Sequence, residues 1–305
     1  MEKTQSKLKK KITPKLIFYA LMMALPIVQF LIFYIGVNTQ SFLFAFQQYD
    51  EPNGVFYFDW NNLFGNFVSI WEELTGEQKN LWIALQNTLS VWFFTSLLGT
   101  VVAVFFSYYI FKHTRTGRVF RFILFLPSIL PTMLISIVFR QFVNDVLPLA
   151  LGIEPLLVKT NPNFGTILFY TVWIGFGTQI LLYTSSMEQV PTSIIEAGKL
   201  DGASPMIELF CIVLPSVMPT IGTFLISGIA GAFINQASLF NFFGHGAAPK
   251  MRTIGYHLFA LVTGNSTEGY GEVQYPYASA LGLCCTLIAV PPTLLLRKFF
   301  ARFEE

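Results

Sequence analysis

The chain alternates between six long apolar stretches and shorter polar connectors. The apolar stretches run over 16–37, 85–111, 122–143, 165–187, 210–234 and 277–296, and Arg140 is the only charged residue inside them. Each is long enough for an α-helix to cross a hydrocarbon layer about 30 Å thick, which takes roughly 20 residues. Lipid offers no hydrogen-bond partner to a backbone amide, so apolar runs of this length must be helical. The pattern predicts an all-α, polytopic membrane protein with six transmembrane helices.

Within the spans the pattern is punctuated. The third and fifth contain "LPSILPT" at 126–132 and "LPSVMPT" at 214–220. Each proline removes a backbone donor and crowds the preceding turn, so both helices are expected to bend. "SGIAGAF" at 227–233 sets Gly228, Gly231 and Ala232 at helical spacing, which predicts close approach by another helix. The connector 38–84 is rich in aromatics and has a turn signal at Pro52-Asn53-Gly54. It reads as an interfacial lid or a short amphipathic helix.

The connector 188–209 carries more local instruction than a passive link requires. Pro191 and Thr192 can open a short helix reaching about Leu200, Asp201-Gly202 is a turn signal, and Ser204-Pro205 has the form of an N-cap followed by a first-turn proline. The small residues Ala197, Gly198, Gly202 and Ala203 keep the corner thin, suited to a cleft on another protein. A plain alternative is a helix-turn-helix in which Ser193 and Glu196 form a capping box.

Composition strengthens the membrane reading. Of 305 residues, 53% are hydrophobic and 12% charged, whereas soluble domains carry about a quarter charged residues. Charge also orients the chain. With the N-terminus inside, 14 of the 19 Lys and Arg fall in cytoplasmic segments, leaving Lys79, Arg140, Lys159, Lys250 and Arg252 outside. Retention of basic residues in cytoplasmic loops is the usual topology determinant. Both termini and the 188–209 connector are therefore expected to be cytoplasmic. The outer segment fits, because Asp50, Glu51, Asp59, Glu72, Glu73 and Glu77 outnumber its one base, Lys79. Topology and anionic headgroups account for the basic residues, and the net charge of +2 calls for no nucleic acid. The first apolar run is too long for a signal-peptide core and reads as an uncleaved span.

The chemistry the sequence lacks also bears on function. There is no phosphate-cradling G-x-x-x-x-G-K-[ST], no H-E-x-x-H and no paired Cys or His spacing. No acid sits mid-span as a proton relay would need. Cys211, Cys284 and Cys285 read as small packing residues. An intramembrane enzyme would need a nucleophile with its base, or a ligand set, in the spans. A self-contained channel would not need the cornered connector. Energy for any driven transport must come from a partner.

The connector resembles the EAA signature of permease subunits in ATP-binding-cassette (ABC) importers. The matching residues are Glu196-Ala197-Gly198, then Gly202, then Ile212 and Leu214-Pro215, with every spacing kept. Gly198 departs from the usual second alanine. "DGA" at 201–203 with Phe210 and Pro219 resembles the carbohydrate branch. "LFGNF" at 63–67, Asn87-Thr88 at the start of the second span, "GRVFRFILFLPSILP" at 117–131 and "FINQASLFNFFGHGAAP" at 233–249 are similar to the first permease of a maltose or multiple-sugar type pair.

The resemblance implies a type I importer permease fold. It comprises an N-terminal part, 1–84 (basic tail, first span and outer segment), and a five-helix core, 85–305. It implies Glu196, Ala197, Gly198, Asp201, Gly202 and Ala203 as the loop that engages the ATPase. It also implies a bacterial or archaeal cytoplasmic membrane and a set of partners: a second homologous permease, two ATPase subunits and an external solute-binding protein. The chain would hold no cofactor, with ATP and Mg used by the ATPases, and would catalyse nothing. For the substrate pathway the resemblance points to Thr171, Gly175, Thr178 and Asn235, to which Trp173 and Gln179 add an aromatic face and an amide suited to a sugar. Packing is the competing role for each aromatic. A non-sugar solute such as glycerol phosphate or a polyamine is the alternative cargo, and it would call for charge in the pathway.

Overall fold

The computed structural model describes residues 14–77, 79–158, 162–264 and 271–303. The basic tail up to residue 13 and Lys159, both used above for orientation, lie outside them. Among the described residues six helices are long and apolar enough to span a membrane: Phe18–Phe44, Asn80–Lys112, Thr132–Leu151, Phe164–Met187, Pro205–Ala230 and Gly271–Phe303. They are called spans 1 to 6. The chain is an integral membrane protein.

Span 1 stands apart. Every residue from Phe18 to Leu43 is exposed, and the span meets the rest of the fold at its far end, where Ala45 is fully buried. Spans 2 to 6 form the body. One buried cluster joins Ala103 and Tyr108 of span 2, Phe176, Tyr183 and Met187 of span 4, and Leu209, Val213 and Val217 of span 5. A second gathers Phe139, Tyr170 and Phe242. A third ties Ala45, Ile70 and Leu81 to Ala280 and Leu281 of span 6.

The third apolar stretch, expected over 122–143, is two helices. Thr114–Ile129 ends at Leu130, which is extended (ψ 145°), and Thr132 begins span 3. The cause is Pro131, since a residue before proline is pushed out of the helical region. Pro127 is absorbed within the first helix. "LPSVMPT" behaves differently. Pro215 sits in the first turn after a π-helical stretch, Glu208–Val213, and Pro219 lies inside a helix that runs unbroken to Ala230. The wider π turn already interrupts the regular hydrogen-bond ladder where Pro215 removes a donor.

The 38–84 segment holds more than one expected element. Two three-residue antiparallel strands, Gln48–Asp50 and Val55–Tyr57, pair with Tyr49 opposite Phe56, and Gly54 takes φ +64° in the turn. A helix, Gly65–Thr75, follows. Asn66 fastens it by donating its amide to the carbonyls of Ala45 (3.0 Å) and Gln47 (2.8 Å). Asn87 and Thr88 do not open span 2, which starts at Asn80. From within its helix Asn87 donates to the carbonyls of Lys250 and Arg252, and Thr88 accepts from Ile254 N–H.

Candidate functional site

The 188–209 connector folds as a self-capped corner. A helix spans Thr192–Leu200, preceded by Pro191 in an extended conformation. Ser193 lies inside this helix and no side chain caps its start, so the Ser193–Glu196 capping box does not form. The end is a Schellman motif. Gly202 N–H donates to Lys199 C=O (3.1 Å) and Ala203 N–H to Gly198 C=O (2.9 Å), with Gly202 at φ +82°. Ser204 then accepts from Ile207 N–H, and Pro205 starts span 5.

The small residues divide by face. Glu196, Ala197, Asp201 and Gly202 are exposed, whereas Gly198 and Ala203 are half-buried. A Cβ at Gly198 would stand 2.6 Å from Ile212 Cδ1 and 3.9 Å from Ala203 Cβ. The glycine at 198 therefore serves the packing of this helix on the first turns of span 5. Ile195 is buried on the same side. Outward, the corner presents apolar side chains to solvent: Leu200 is 89% exposed, and Ile194, Met206 and Ile207 are also uncovered.

The proposed pathway residues do not form one cluster. Gly175 and Thr178 are exposed, and a Cβ at Gly175 would meet open space. Thr178 and Leu182 share a face of span 4. Leu182 also lines a cleft of about 320 Å³ with Pro219, Thr220, Thr223, Phe224 and Ser227 of span 5. Ser216, Thr220, Thr223 and Ser227 follow one helical face, and Thr220 meets Ser186 of span 4 at 2.8 Å. Thr171 turns its hydroxyl back to Ile167 C=O. Trp173 packs against Phe139 and Tyr170, with centroids at 6.0 and 6.3 Å, so packing takes up its ring. Gln179 Oε1 lies 3.7 Å from where a Cβ of Gly99 would sit, directed at span 2.

Asn235 builds a turn. Its Oδ1 accepts from Ala237 N–H (2.8 Å), bracing Ala237 and Ser238 in the left-handed region, and its carbonyl accepts from Thr253 Oγ1. Arg140, the lone charge of the predicted spans, donates to Phe242 C=O (2.8 Å) and lies over the Phe243 ring. It braces the short helix Leu239–Phe243 at its C-terminal turn.

Two polar clusters escaped the sequence reading. Where the connector meets the body, Glu208 is only 3% exposed and pairs with Lys112 Nζ at 2.5 Å, while Tyr108 reaches both Glu208 and Pro205 C=O. Lys112 counted only as a topology charge. The available signal was a lone acid one turn after an N-cap, at the head of an apolar run. At the opposite end Tyr277 donates to Glu73 of the Gly65–Thr75 helix, and His257 Nε2 lies 4.0 Å from Glu73 Oε1. Burial pushes the His257 imidazole below its ordinary range, Glu73 opposes this, and Arg252 adds to it.

Residues 95–304 match the family described as "Binding-protein-dependent transport system inner membrane component". The chain is 26% identical over 192 residues to the multiple sugar-binding transport system permease protein MsmF of Streptococcus mutans, covering 61% of this chain and 64% of MsmF. It is 23% identical over 290 residues to the arabinooligosaccharides transport system permease protein AraP of Bacillus subtilis, covering 91% and 87%. The chain thus spans just under two thirds of MsmF and most of AraP. The fold is similar to that of a chain in the crystal structure of a bacterial ABC transporter involved in the import of the acidic polysaccharide alginate. The TM-score is 0.74 at 18% identity, covering 97% of this chain and 99% of that one.

Proposed function

The chain belongs to the binding-protein-dependent transport system inner membrane components, and on that premise we propose that it is one permease of an ATP-driven importer for oligosaccharides or related polyols. It is a transport subunit and not an enzyme. Its partners would be a second permease, two ATPase subunits that use ATP and Mg, and an external solute-binding protein. The membrane would be a bacterial cytoplasmic membrane, with the 188–209 corner on the cytoplasmic side.

The observation that carries this reading is the corner itself. A helix closed by its own Schellman motif and exposing Leu200 and Ile194 is a rigid projection with an apolar face. Such a projection suits a cleft in a partner ATPase, as the EAA-like spacing implies. The exposure of span 1 from Phe18 to Leu43 suits a second permease. The cargo class rests on the relatives' names and on the cleft between spans 4 and 5, whose side chains are hydroxyl-bearing or apolar and carry no charge. A phosphate or polyamine cargo would call for charge there, and Arg140 is engaged with Phe242.

The mechanism follows as a shifted two-state equilibrium. ATP closes the ATPase pair, the pair moves the corners of both permeases, and the pathway between spans 4 and 5 changes its accessible side. ATP must favour the closed state over the open one to do this. Swinging the balance from 1:99 to 99:1 takes about 5.5 kcal/mol of differential binding.

The test uses the complete assembly in proteoliposomes with its binding protein. Gly202→Asp, which strains the left-handed position, and Leu200→Glu, which charges the apolar tip, are each expected to abolish uptake of labelled oligosaccharides and to weaken ATPase attachment. Unchanged uptake and attachment in both variants would sink the reading.

A further inference from the structure

We propose that Glu208 is the positioning residue that makes the 188–209 corner, the head of span 5 and the end of span 2 move as one lever; this rests on the function proposed above. The corner helix bears on the first turns of span 5, where Gly198 fits against Ile212 and Ile195 is buried. Those turns are the π-helical stretch Glu208–Val213, whose Leu209 and Val213 sit in the core beside spans 2 and 4. Apolar contacts of this kind can slide.

The polar contacts at the same place are directional. Lys112 Nζ holds both carboxylate oxygens of Glu208, at 2.5 and 2.6 Å. Tyr108, one turn earlier on span 2, donates to Pro205 C=O at 2.9 Å and reaches Glu208 Oε1 at 3.3 Å. Lys112 lies in the last turn of its helix and Glu208 close to the start of span 5, so each charge faces the helix end that favours it. The Glu208 side chain is almost fully buried and that of Lys112 about three-quarters so, which shields the pair from water and screening. It therefore transmits displacement both toward and away from the core. A second ion pair at this end among the described residues, Arg121–Glu188, is 3.4 Å long, with Glu188 more than half exposed. With the Arg121 bond to Ser185 Oγ (3.1 Å) it ties the end of span 4 to the Thr114–Ile129 helix rather than to the corner. Span 4 reaches the corner through the 188–191 turn, whereas the buried charge pair joins the corner's far side to spans 2 and 5.

The experiment compares the unaltered assembly with Glu208→Gln, Lys112→Met and the exchange pair Lys112→Glu/Glu208→Lys. It measures subunit assembly, thermal stability, ATP hydrolysis and uptake in proteoliposomes. Uptake per ATP hydrolysed is expected to fall about tenfold in each single variant, within the range usual for a coupling energy. The exchange pair keeps the ion pair but sets both charges against their helix ends, and is expected to recover part of it. The proposal is overturned if uptake per ATP is unchanged, or if uptake and hydrolysis fall together with thermal stability and the exchange pair recovers neither. Gly202→Asp is run in parallel. If it leaves ATPase attachment and uptake intact, the corner is no coupling element and the function proposed above fails with it. If it abolishes both while Glu208→Gln changes nothing, only the lever falls.

Discussion

Gly198 allows a quantitative test of how the corner is seated. Gly198→Ala installs the residue usual in the resembled signature and changes two energies of opposite sign. Alanine is favoured over glycine inside a helix by about 1 kcal/mol. Against this, the new Cβ would stand 2.6 Å from Ile212 Cδ1, about 1 Å inside the usual carbon–carbon contact of 3.5–4.0 Å. Ile212 Cδ1 is the free end of a half-exposed side chain that can rotate, so the overpacking cost sits at the low end of about 1–3 kcal/mol and the single variant should lie close to neutral. Ile212→Val removes the offending methyl and alone should cost about 0.5–1.5 kcal/mol. Together the two changes should relieve the clash and keep the helix propensity, so the double variant is more stable than the sum of the singles by about 0.5–1 kcal/mol. The assay is hydrogen exchange of the Thr192–Leu200 amides in the purified protein, read as local opening free energies. A strictly additive cycle would refute the packing of Gly198 on Ile212.

The remaining expectations concern other joints of the fold. A Cβ at Gly222 would lie 2.5–2.8 Å from Cγ, Cδ1 and Cβ of Phe300, so Gly222→Ala should destabilise by about 1–3 kcal/mol; thermal unfolding should show the double variant with Phe300→Ala, which removes Cγ and Cδ1, less destabilised than the sum of the singles. His257 has its pKa lowered by folding, so the unfolded chain binds the proton more readily. Stability should be full above the ordinary histidine value of about 6.5 and fall as pH drops below it. Thermal unfolding at pH 7.5 and 5.5 should show a smaller difference for His257→Gln than for the unaltered chain. For Asn235, Asn235→Asp keeps the oxygen that accepts Ala237 N–H, while Asn235→Ala removes it. If the residue acts through its turn, Asp retains uptake and Ala loses it; loss in both would point to the amide nitrogen in the pathway.

The sequence by itself determined whatever depends on a few neighbouring residues or on the length of an apolar run. The six spans follow from backbone hydrogen bonding in lipid, which each helix satisfies internally. The corner at 192–205 was legible for a similar reason: Gly202 and Ser204 act on carbonyls and amides no more than five residues away. The tertiary structure decided what depends on distant partners. "LPSILPT" breaks its helix and "LPSVMPT" does not, although their prolines fall in the same register. In span 5 Pro215 falls in the first turn after the π-helical stretch and Pro219 stays within the helix, whereas Leu130 before Pro131 is extended. Around them Gly222 packs on Phe300 of span 6 and Gly177 of span 4 lies against Leu124 C=O. Asn235 is expected in the pathway by resemblance, and the turn it braces and its tie to Thr253 cannot be read from spacing. Glu208 and Lys112 lie 96 residues apart. Each alone reads as an ordinary charge at a span boundary. Only the packing of span 5 on span 2 joins them, because a charge can be buried there once its counter-charge is within hydrogen-bond distance.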